Sequence, residues 1–501
     1  MGTPTTRRRA AQAVLSLAIL AAAGCAGSYA PMPLAPESLD RALSVPADDV
    51  LRVRASALQH PLLDPIDLNL ADGLNPDEAA VLAVILNPIL RAERDRIGVA
   101  AAQLLQAGIL PNPQITASLD QPFAGATAGT FTGWGLGLDY DLQALITRSA
   151  EIDVARAEQA SVALDVAWAE WQAALDARLH AVRLIWLQRE YDEASSAAGA
   201  AQQAADAVHN ALRQNLITQV EADAADADLQ RFRITALEAQ AAIDSERLAL
   251  KRSIGLPAAS DLLVAGVREQ GLKAGVSDEA LGVRGPIPDP YPLTPVLVSE
   301  RRLDLLALRR GYDSQEAKVR GAVLSRFPKI SVGLAANRDT SNVISIGPSV
   351  TLDLPLFDRA QGRVAIETAT RQQLFDEYAS RVFEALSEIA QVRSELESVA
   401  QRIDATDSYV TRLQALQQTY ADAVRRGNAD ILNLHQVQNT LADTKLEALR
   451  LRQERAELIV ALEAAQGQVF TQSARSPQTS PPVPSTAPAT VPAATPATSS
   501  P

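Results

Sequence analysis

Residues 382–403, VFEALSEIAQVRSELESVAQRI, lie within Arg363–Arg426, a stretch of 64 residues without proline or glycine. Apolar residues recur there at gaps of three, four and seven, a period typical of a helix packed against other helices as in a coiled coil. At about 1.5 Å per residue the helix would be roughly 96 Å long, so it needs equally long partners. The predicted apolar seam consists of Val382, Leu386, Ile389, Leu396, Val399, Ile403, Val410, Leu413, Tyr420 and Val424.

The partner is predicted to lie in the same chain. A second proline-free stretch, Ser149–Arg213, precedes the first by about 212 residues. Overall identity between the two halves is low, so the repeat depends on landmarks that keep this offset in order. We therefore interpret the chain as two copies of one unit. The paired landmarks are Leu142 with Leu354, Ala157 with Ala369, Arg213 with Arg425, Asn215 with Gly427, Leu229 with Leu441, and Gly255 with Gly467.

Each copy also contains a predicted β-hairpin, at residues 114–141 and 329–354, in which residues alternate between an apolar face and a Gly/Ser/Asp face. Pro348 predicts an irregularity in the last strand. A small soluble sheet with one wet face would fit this pattern, and so would part of a membrane barrel. Four strands cannot close such a barrel, so strands that enter a membrane would require oligomerisation.

Each hairpin is predicted to lie between a shorter helix and a long helix that turns back into a return helix. The predicted organisation has six parts: a lipoprotein signal peptide at 1–24, an extended N-terminal arm at 25–74, a first repeat at 75–255 with its tip near 215, a linker at 256–298, a second repeat at 299–467 with its tip near 427, and a disordered Pro/Ser/Thr/Ala tail at 468–501. Within these parts, Asn87-Pro88 predicts a break in the helix 76–107, and the corresponding helix is predicted at 300–325.

The leader carries three arginines, Arg7 to Arg9, followed by an apolar run, and it ends directly before Cys25, the only cysteine. An ordinary signal peptide with an incidental thiol is one interpretation. The other is a bacterial lipoprotein signal with Cys25 as the lipidated first residue of the mature chain. The lipid on Cys25 would be the protein's only attached group, since we expect no other cofactor.

Composition and motifs predict neither nucleic-acid binding nor catalysis. The net charge is −13, and no basic cluster follows the leader. The four histidines are scattered without the spacing of metal ligands, so no metal site is expected. The sequence has no phosphate-binding loop and no nucleophile motif. We therefore expect a protein that is not an enzyme.

Several motifs, in this order, resemble the TolC-type outer-membrane efflux proteins, and most closely their heavy-metal and cation efflux branch. The similarity covers residues 75–470. The motifs are Leu110-Pro111-Asn112-Pro113, Arg302-Leu303-Asp304-Leu305, Phe327-Pro328-Lys329-Ile330, the run from Gly347 to Asp358, and Tyr420 with Arg426-Gly427.

The resemblance implies a mainly α fold with a small β part: a long helical-hairpin barrel joined to a transmembrane β-barrel that three chains close with four strands each. It implies a passive outer-membrane conduit for small molecules or metal ions, anchored by lipid and extending into the periplasm. The implied partners are a periplasmic adaptor protein and an inner-membrane pump of the RND type. A type I protein secretion channel and a lipid-anchored structural coiled coil are the alternatives.

The candidate site residues lie at the two periplasmic turns and just beyond them. An exposed apolar cluster at the turns would dock the adaptor, whereas a buried one would only staple the helical hairpin. Acidic and polar residues beyond the turns would line the lumen, or would merely solvate the outer wall. The docking candidates are Leu212, Asn215, Leu216, Ile217 and Gly427, and the lumen candidates are Glu221, Asp228, Asp430, Asn433 and Gln436.

Overall fold

The computed structural model describes residues 29–71, 73–125, 127–261 and 294–468. The predicted signal peptide, Cys25, most of the predicted linker and nearly all of the C-terminal tail lie outside these residues. The chain divides into two units, Met1–Pro46 and Ala47–Pro501. The described part of the first unit contains helix α1, Pro36–Leu43.

The second unit contains both repeats. Helix α2 (Asp48–Ser56) belongs to the N-terminal arm. The first repeat comprises α3 (Pro76–Leu86), α4 (Pro88–Gly108), β1 (Gln114–Asp120), β2 (Gly133–Asp141), the first long helix α5 (Gln143–Arg213) and the first return helix α6 (Gln219–Ile254). The second comprises α7 (Pro295–Arg301), α8 (Leu303–Leu324), β3 (Lys329–Arg338), β4 (Ile344–Asp353), the second long helix α9 (Gln361–Arg425) and the second return helix α10 (Ile431–Gln466).

The two hairpins join into one antiparallel sheet of four strands in the order β1-β2-β3-β4. The β2–β3 pair, for example Leu138 with Leu334, unites the two repeats. The prediction of an irregularity at Pro348 is wrong, because Pro348 pairs with Leu334 in an unbroken register. Strand β4 lies at the edge of the sheet, where a residue without an N–H group is tolerated.

Two further boundaries differ from the sequence prediction. The N-terminal arm was expected to be extended, but it contains α1 and α2. Their first turns carry Pro36, and Asp48 with Asp49, residues that favour helix starts. The helix predicted at 300–325 is two helices, because Thr294 caps an earlier start and the chain breaks at Arg302.

The long helices carry the core. Helix α5 packs between α6 and α10 in one half and between α4 and α8 in the other, while α9 packs on α8 and α10. Trp171, Leu184 and Trp186 of α5 are fully buried, and α3 packs against them in the largest apolar cluster. All ten residues of the seam predicted on α9 are buried or half-buried, which confirms that seam.

Each return helix ends against the break between two shorter helices. The Asn87 amide donates to the Ser253 carbonyl at 3.0 Å, and the Arg302 guanidinium donates to the Ala465 carbonyl at 3.1 Å. Both carbonyls lie in the last turn of a return helix, where no helical donor is available. A side chain at Gly255 would meet Asn87 Cα at 2.8 Å, so glycine permits this close approach.

Among the described residues, none of the helices contains a stretch that is both long enough and apolar enough to span a lipid bilayer.

Candidate functional site

The two turns that join long and return helices have the same backbone conformation. At the first turn, Asn215 adopts a left-handed φ of 59°, and the Leu216 amide donates to the Ala211 carbonyl at 3.0 Å. At the second, Gly427 has a φ of 74°, and the Asn428 amide donates to the Ala423 carbonyl at 2.9 Å. These are Schellman motifs, in which a left-handed residue ends the helix. Asparagine therefore replaces glycine here without changing the turn.

The return helices begin directly after these turns with side-chain caps. Glu221 forms a capping box with Thr218: its carboxylate accepts from the Thr218 amide at 2.6 Å, and the Thr218 hydroxyl accepts from the Glu221 amide. Asp430 caps α10 by accepting from the Leu432 amide at 3.0 Å. Both lumen candidates therefore have a structural role as well as a charge.

The apolar residues at the first turn divide into two groups. Leu216, in the turn itself, is 70% exposed, and Val220, in the first turn of α6, is 77% exposed. Leu212 and Ile217 are half-buried. The first pair is free to contact another protein, whereas the second pair is partly covered by the chain itself. The sequence analysis did not identify Val220, because Leu216 lies in the turn and Val220 in the helix, so no helical spacing relates the two.

Beyond the turns, polar side chains join the two return helices. The Asn439 amide donates to Asp228 at 2.5 Å, and Arg231 donates to Asp443 at 2.6 Å. Asp228 is thus bridged to the second repeat. Arg231 and Asp443 are 212 residues apart, so they occupy equivalent positions in the two repeats.

Small residues on the long helix α5 allow this approach. Ala197, Ala201 and Ala205 form a buried stripe against Leu229 and Phe232 of α6. Ala442 of α10 packs against the same cluster. Because alanine projects so little, α6 and α10 can come close enough over α5 for their side chains to meet.

Three of the lumen candidates lie on one exposed stripe at the start of α10. Asp430, Asn433 and Gln436 are exposed, whereas Leu434 and Val437 are half-buried and Leu441 is buried. The polar stripe of α10 therefore faces away from the packed helices of its own chain.

The sequence analysis missed two buried charge clusters, each of which contacts both repeats. Glu463 of α10 is fully buried and pairs with Arg178 of α5, which also lies 3.3 Å from Asp77. Arg302, also buried, pairs with Asp304 at 2.9 Å and lies over the Trp168 ring. The run Arg302-Leu303-Asp304 was recognised as a motif, but nothing in it indicated that the two charges are buried together.

None of the described residues forms a group of three or more His, Cys, Asp or Glu side chains that could hold a metal ion.

Comparison with known proteins identifies this architecture. Residues 294–468 match the family model of the outer membrane efflux proteins. No curated protein matches the sequence. Among solved structures, the outer-membrane channel OprN is 16% identical with a TM-score of 0.67, covering 89% of this chain and 100% of that chain. CusC is 17% identical with a TM-score of 0.65, covering 82% and 99%. The outer membrane protein VceC of Vibrio cholerae is 17% identical with a TM-score of 0.63, covering 78% and 96%.

The described chain therefore has the fold of an outer-membrane channel protein. Its second repeat matches the family model of the outer membrane efflux proteins, which confirms the resemblance to the TolC-type proteins. The predicted fold class, mainly helical with four strands per chain, is confirmed as well. CusC and OprN are described as channels, which fits the expectation of a protein that is not an enzyme.

Proposed function

We propose that the chain is one subunit of the outer-membrane channel of a tripartite efflux pump, a passive conduit for small molecules or metal ions. The observation that carries this proposal is the sheet. Its apolar face is exposed, with Ile115 at 73%, Leu119 at 79% and Ile346 at 71%, while its other face carries small and polar residues. Strands that are apolar outside and polar inside are typical of membrane barrels.

The edges of the sheet support an assembly of several copies. Within the described chain, β1 and β4 each pair on one side only. An unpaired strand edge is not tolerated in lipid, so the edges must meet those of other copies. Three copies supply twelve strands, and three is the number that the TolC-type family implies. A structural coiled coil would explain the long helices but not the shared sheet.

The solved relatives fit the proposal in their printed descriptions: OprN is an outer-membrane channel, and CusC is described in terms of transmembrane channel formation. By analogy, the two turns would dock a periplasmic adaptor protein that connects to an inner-membrane pump of the RND type. Asp228, Asp430, Asn433 and Gln436 would face the lumen near this end.

The test is the oligomeric state in detergent. Light scattering of the purified full-length protein should give three copies, and planar bilayers should show discrete channel conductance. A stable monomer with an intact β-sheet signal in circular dichroism would contradict the channel.

The membrane anchor is a separate part of the proposal. Cys25 is the only cysteine and directly follows the leader, which supports lipidation at this residue. Cells that express the Cys25→Ser variant should incorporate no radioactive palmitate into the protein, and undiminished labelling would refute the anchor.

A further inference from the structure

The apolar face of the four-stranded sheet carries a single charged side chain, Arg338. Residues that pair directly across neighbouring strands point to the same face, so the register of the strands defines this face. Arg338 pairs with Trp134 on one side and with Ile344 on the other. The remaining residues of the face, from Ile115 in β1 to Leu352 in β4, are apolar or aromatic. A charge in this position therefore requires an explanation.

Arg338 lies at the end of the sheet that is remote from the helices. The connections to the helices leave from the opposite end, for example between Asp141 and Gln143. From Arg338 to Ile330, the face extends along β3 for eight residues. This distance is about 27 Å along the strand, comparable to the apolar band of about 25 Å in membrane barrels. In a membrane, Arg338 would therefore lie at the level of the lipid headgroups on the outer side.

The guanidinium of Arg338 is positioned by an aromatic ring and lacks an anionic partner. It lies 5.2 Å from the centre of the Phe131 ring, whose π-face attracts a cation. The Phe131 amide donates to the Thr340 carbonyl at 2.9 Å, which holds the two hairpin loops together. Nε of Arg338 has no hydrogen-bond partner, and no carboxylate of the described residues forms an ion pair with the guanidinium. The cation is thus held in place without a counter-charge from the chain.

The position of Arg338 within the sheet favours a lipid as its partner over another copy of the chain. Strands β2 and β3 are the inner strands, so copies that join at the sheet edges would meet at β1 and β4. Phe131 is 46% exposed and Ile344 is 67% exposed, and both lie beside Arg338. Their apolar surfaces suit acyl chains, whereas an arginine can donate two parallel hydrogen bonds to a phosphate. A phosphorylated lipid provides both groups in one molecule.

We propose that Arg338 binds a phosphate group of a lipid in the outer leaflet, with the acyl chains of that lipid on the apolar face of the sheet. This inference rests on the proposed function, because it requires this face to contact lipid. The outer leaflet of a bacterial outer membrane consists mainly of glycolipids built on lipid A, whose two sugars carry phosphates. The ligand is therefore a phosphorylated glycolipid, bound once per chain.

Native mass spectrometry of the purified full-length protein in detergent tests this site, with bisphosphorylated lipid A as the probe. The wild type should bind one lipid per chain. The same lipid after chemical removal of its phosphates should bind about tenfold more weakly, because the charge-assisted hydrogen bonds to arginine are lost. This comparison uses the wild type alone, so it does not depend on the folding of any variant.

Two variants assign the effect to Arg338. Arg338→Gln removes the charge at similar length and should weaken the binding of bisphosphorylated lipid A by about the same tenfold. Arg338→Lys keeps the charge but not the paired donors, so it should lose less. Circular dichroism and light scattering of both variants should match the wild type.

The matched control is Lys329→Gln. Lys329 is an exposed basic residue of the same strand, but it lies on the polar face at the end near the helices, where it pairs with Asp353. Its loss should leave lipid binding unchanged. Excess inorganic phosphate should not displace the lipid, since it has no acyl chains to contact the sheet. Displacement would show a site for free anions and would overturn the lipid as the occupant.

Lipid binding and assembly are measured separately, so the failure of one is distinguishable from the failure of the other. Trimers that bind lipid A equally with and without its phosphates, or equally in Arg338→Gln and the wild type, would overturn the lipid site and leave the channel intact. A monomer in light scattering would contradict the channel and, with it, the lipid-facing surface that this inference requires.

Discussion

At the scale of single residues, several side chains have structural roles that the surrounding sequence does not predict. Asn215 adopts the left-handed backbone conformation that Gly427 has at the equivalent turn of the second repeat. His60 of the arm is 1% exposed, its Nδ1 accepts from the Leu62 amide at 3.0 Å, and its Nε2 lies 2.9 Å from the Ala167 carbonyl. This arrangement requires a neutral imidazole with its proton on Nε2.

The left-handed residue of each turn gives a first prediction. Asn215→Ala should cost about 1 kcal/mol, because alanine lacks the polar side chain that makes this conformation tolerable for asparagine. Amide hydrogen exchange at Leu216, whose N–H closes the turn, should then become roughly fivefold faster. Asn215→Gly should exchange no faster than the wild type. At the second turn, Gly427→Ala should repeat the effect and Gly427→Asn should be mild. Equal exchange in the alanine and glycine variants of residue 215 would show that the left-handed conformation does not limit the stability of the turn.

His60 gives a prediction about pH. Burial lowers the pKa of His60 from its ordinary value of 6.5, more than the Ala167 carbonyl and Glu170 raise it. The docked arm thus binds fewer protons than the detached arm. Its stability should be fully present above pH 6.5 and should decline as pH falls through the lowered pKa. Hydrogen exchange at Leu62 and Leu63, corrected for intrinsic rate, should show the arm loosening at about pH 5.5 relative to about pH 7.5.

A non-titrating variant is the control for that measurement. In His60→Asn the amide oxygen can accept from Leu62 and Leu63 as Nδ1 does, but it cannot gain a proton in this range. Its corrected exchange should not change between the two pH values. If the wild type is equally insensitive, His60 does not govern the docking of the arm.

At the scale of elements, the helices and strands that follow from local periodicity were predicted from the sequence. Contacts between residues far apart in sequence were not. The period of 3.5 residues placed the seam of α9, and alternation placed all four strands. The pairing of β2 with β3 and the burial of Arg178 with Glu463 could not be predicted, because each joins residues far apart in sequence. The Arg302 break was missed for the same reason, since it depends on the end of α10.

The first turn gives the prediction at this scale. Leu216→Asp with Val220→Asp should strongly reduce efflux and leave the trimer intact, because both side chains are exposed in the chain and are expected to be buried by the adaptor. Loss of two such contacts costs about 3 kcal/mol, roughly a hundredfold in affinity for the adaptor. Efflux is measured as survival on a pump substrate, and the trimer by light scattering.

Two control variants keep this experiment specific. Thr218→Asp adds a charge at the same turn but retains a good helix cap, so efflux should persist. Leu212→Asp places a charge on a half-buried residue of the hairpin, and it should reduce trimer yield as well as efflux. Loss of the trimer in the Leu216/Val220 variant would show that these side chains stabilise the hairpin instead of docking a partner.

At the scale of the whole molecule, duplication explains why so much was predictable. One offset of 212 residues relates the turns, the ends of the return helices and the pair Arg231–Asp443. The two copies differ in what covers equivalent side chains: Phe383 is exposed where Trp171 is buried. The sequence repeat does not reveal this difference, because it depends on which helices pack together in three dimensions.

The lumen near the periplasmic end should prefer cations, since three-fold symmetry would turn each inward-facing acid into a ring of three charges. Asp430 begins the exposed polar stripe of α10, and Glu221 begins α6 at the equivalent turn. Because both acids cap helices, the variant Glu221→Gln/Asp430→Asn removes the charges and keeps side chains that still cap. Reversal potentials in planar bilayers under a salt gradient should then show weaker cation preference, with a smaller dependence on ionic strength. The matched control, Glu37→Gln/Asp40→Asn, removes the same charge from exposed positions of α1 and should leave selectivity unchanged. Equal selectivity in both double variants and the wild type would place Glu221 and Asp430 on the outer wall.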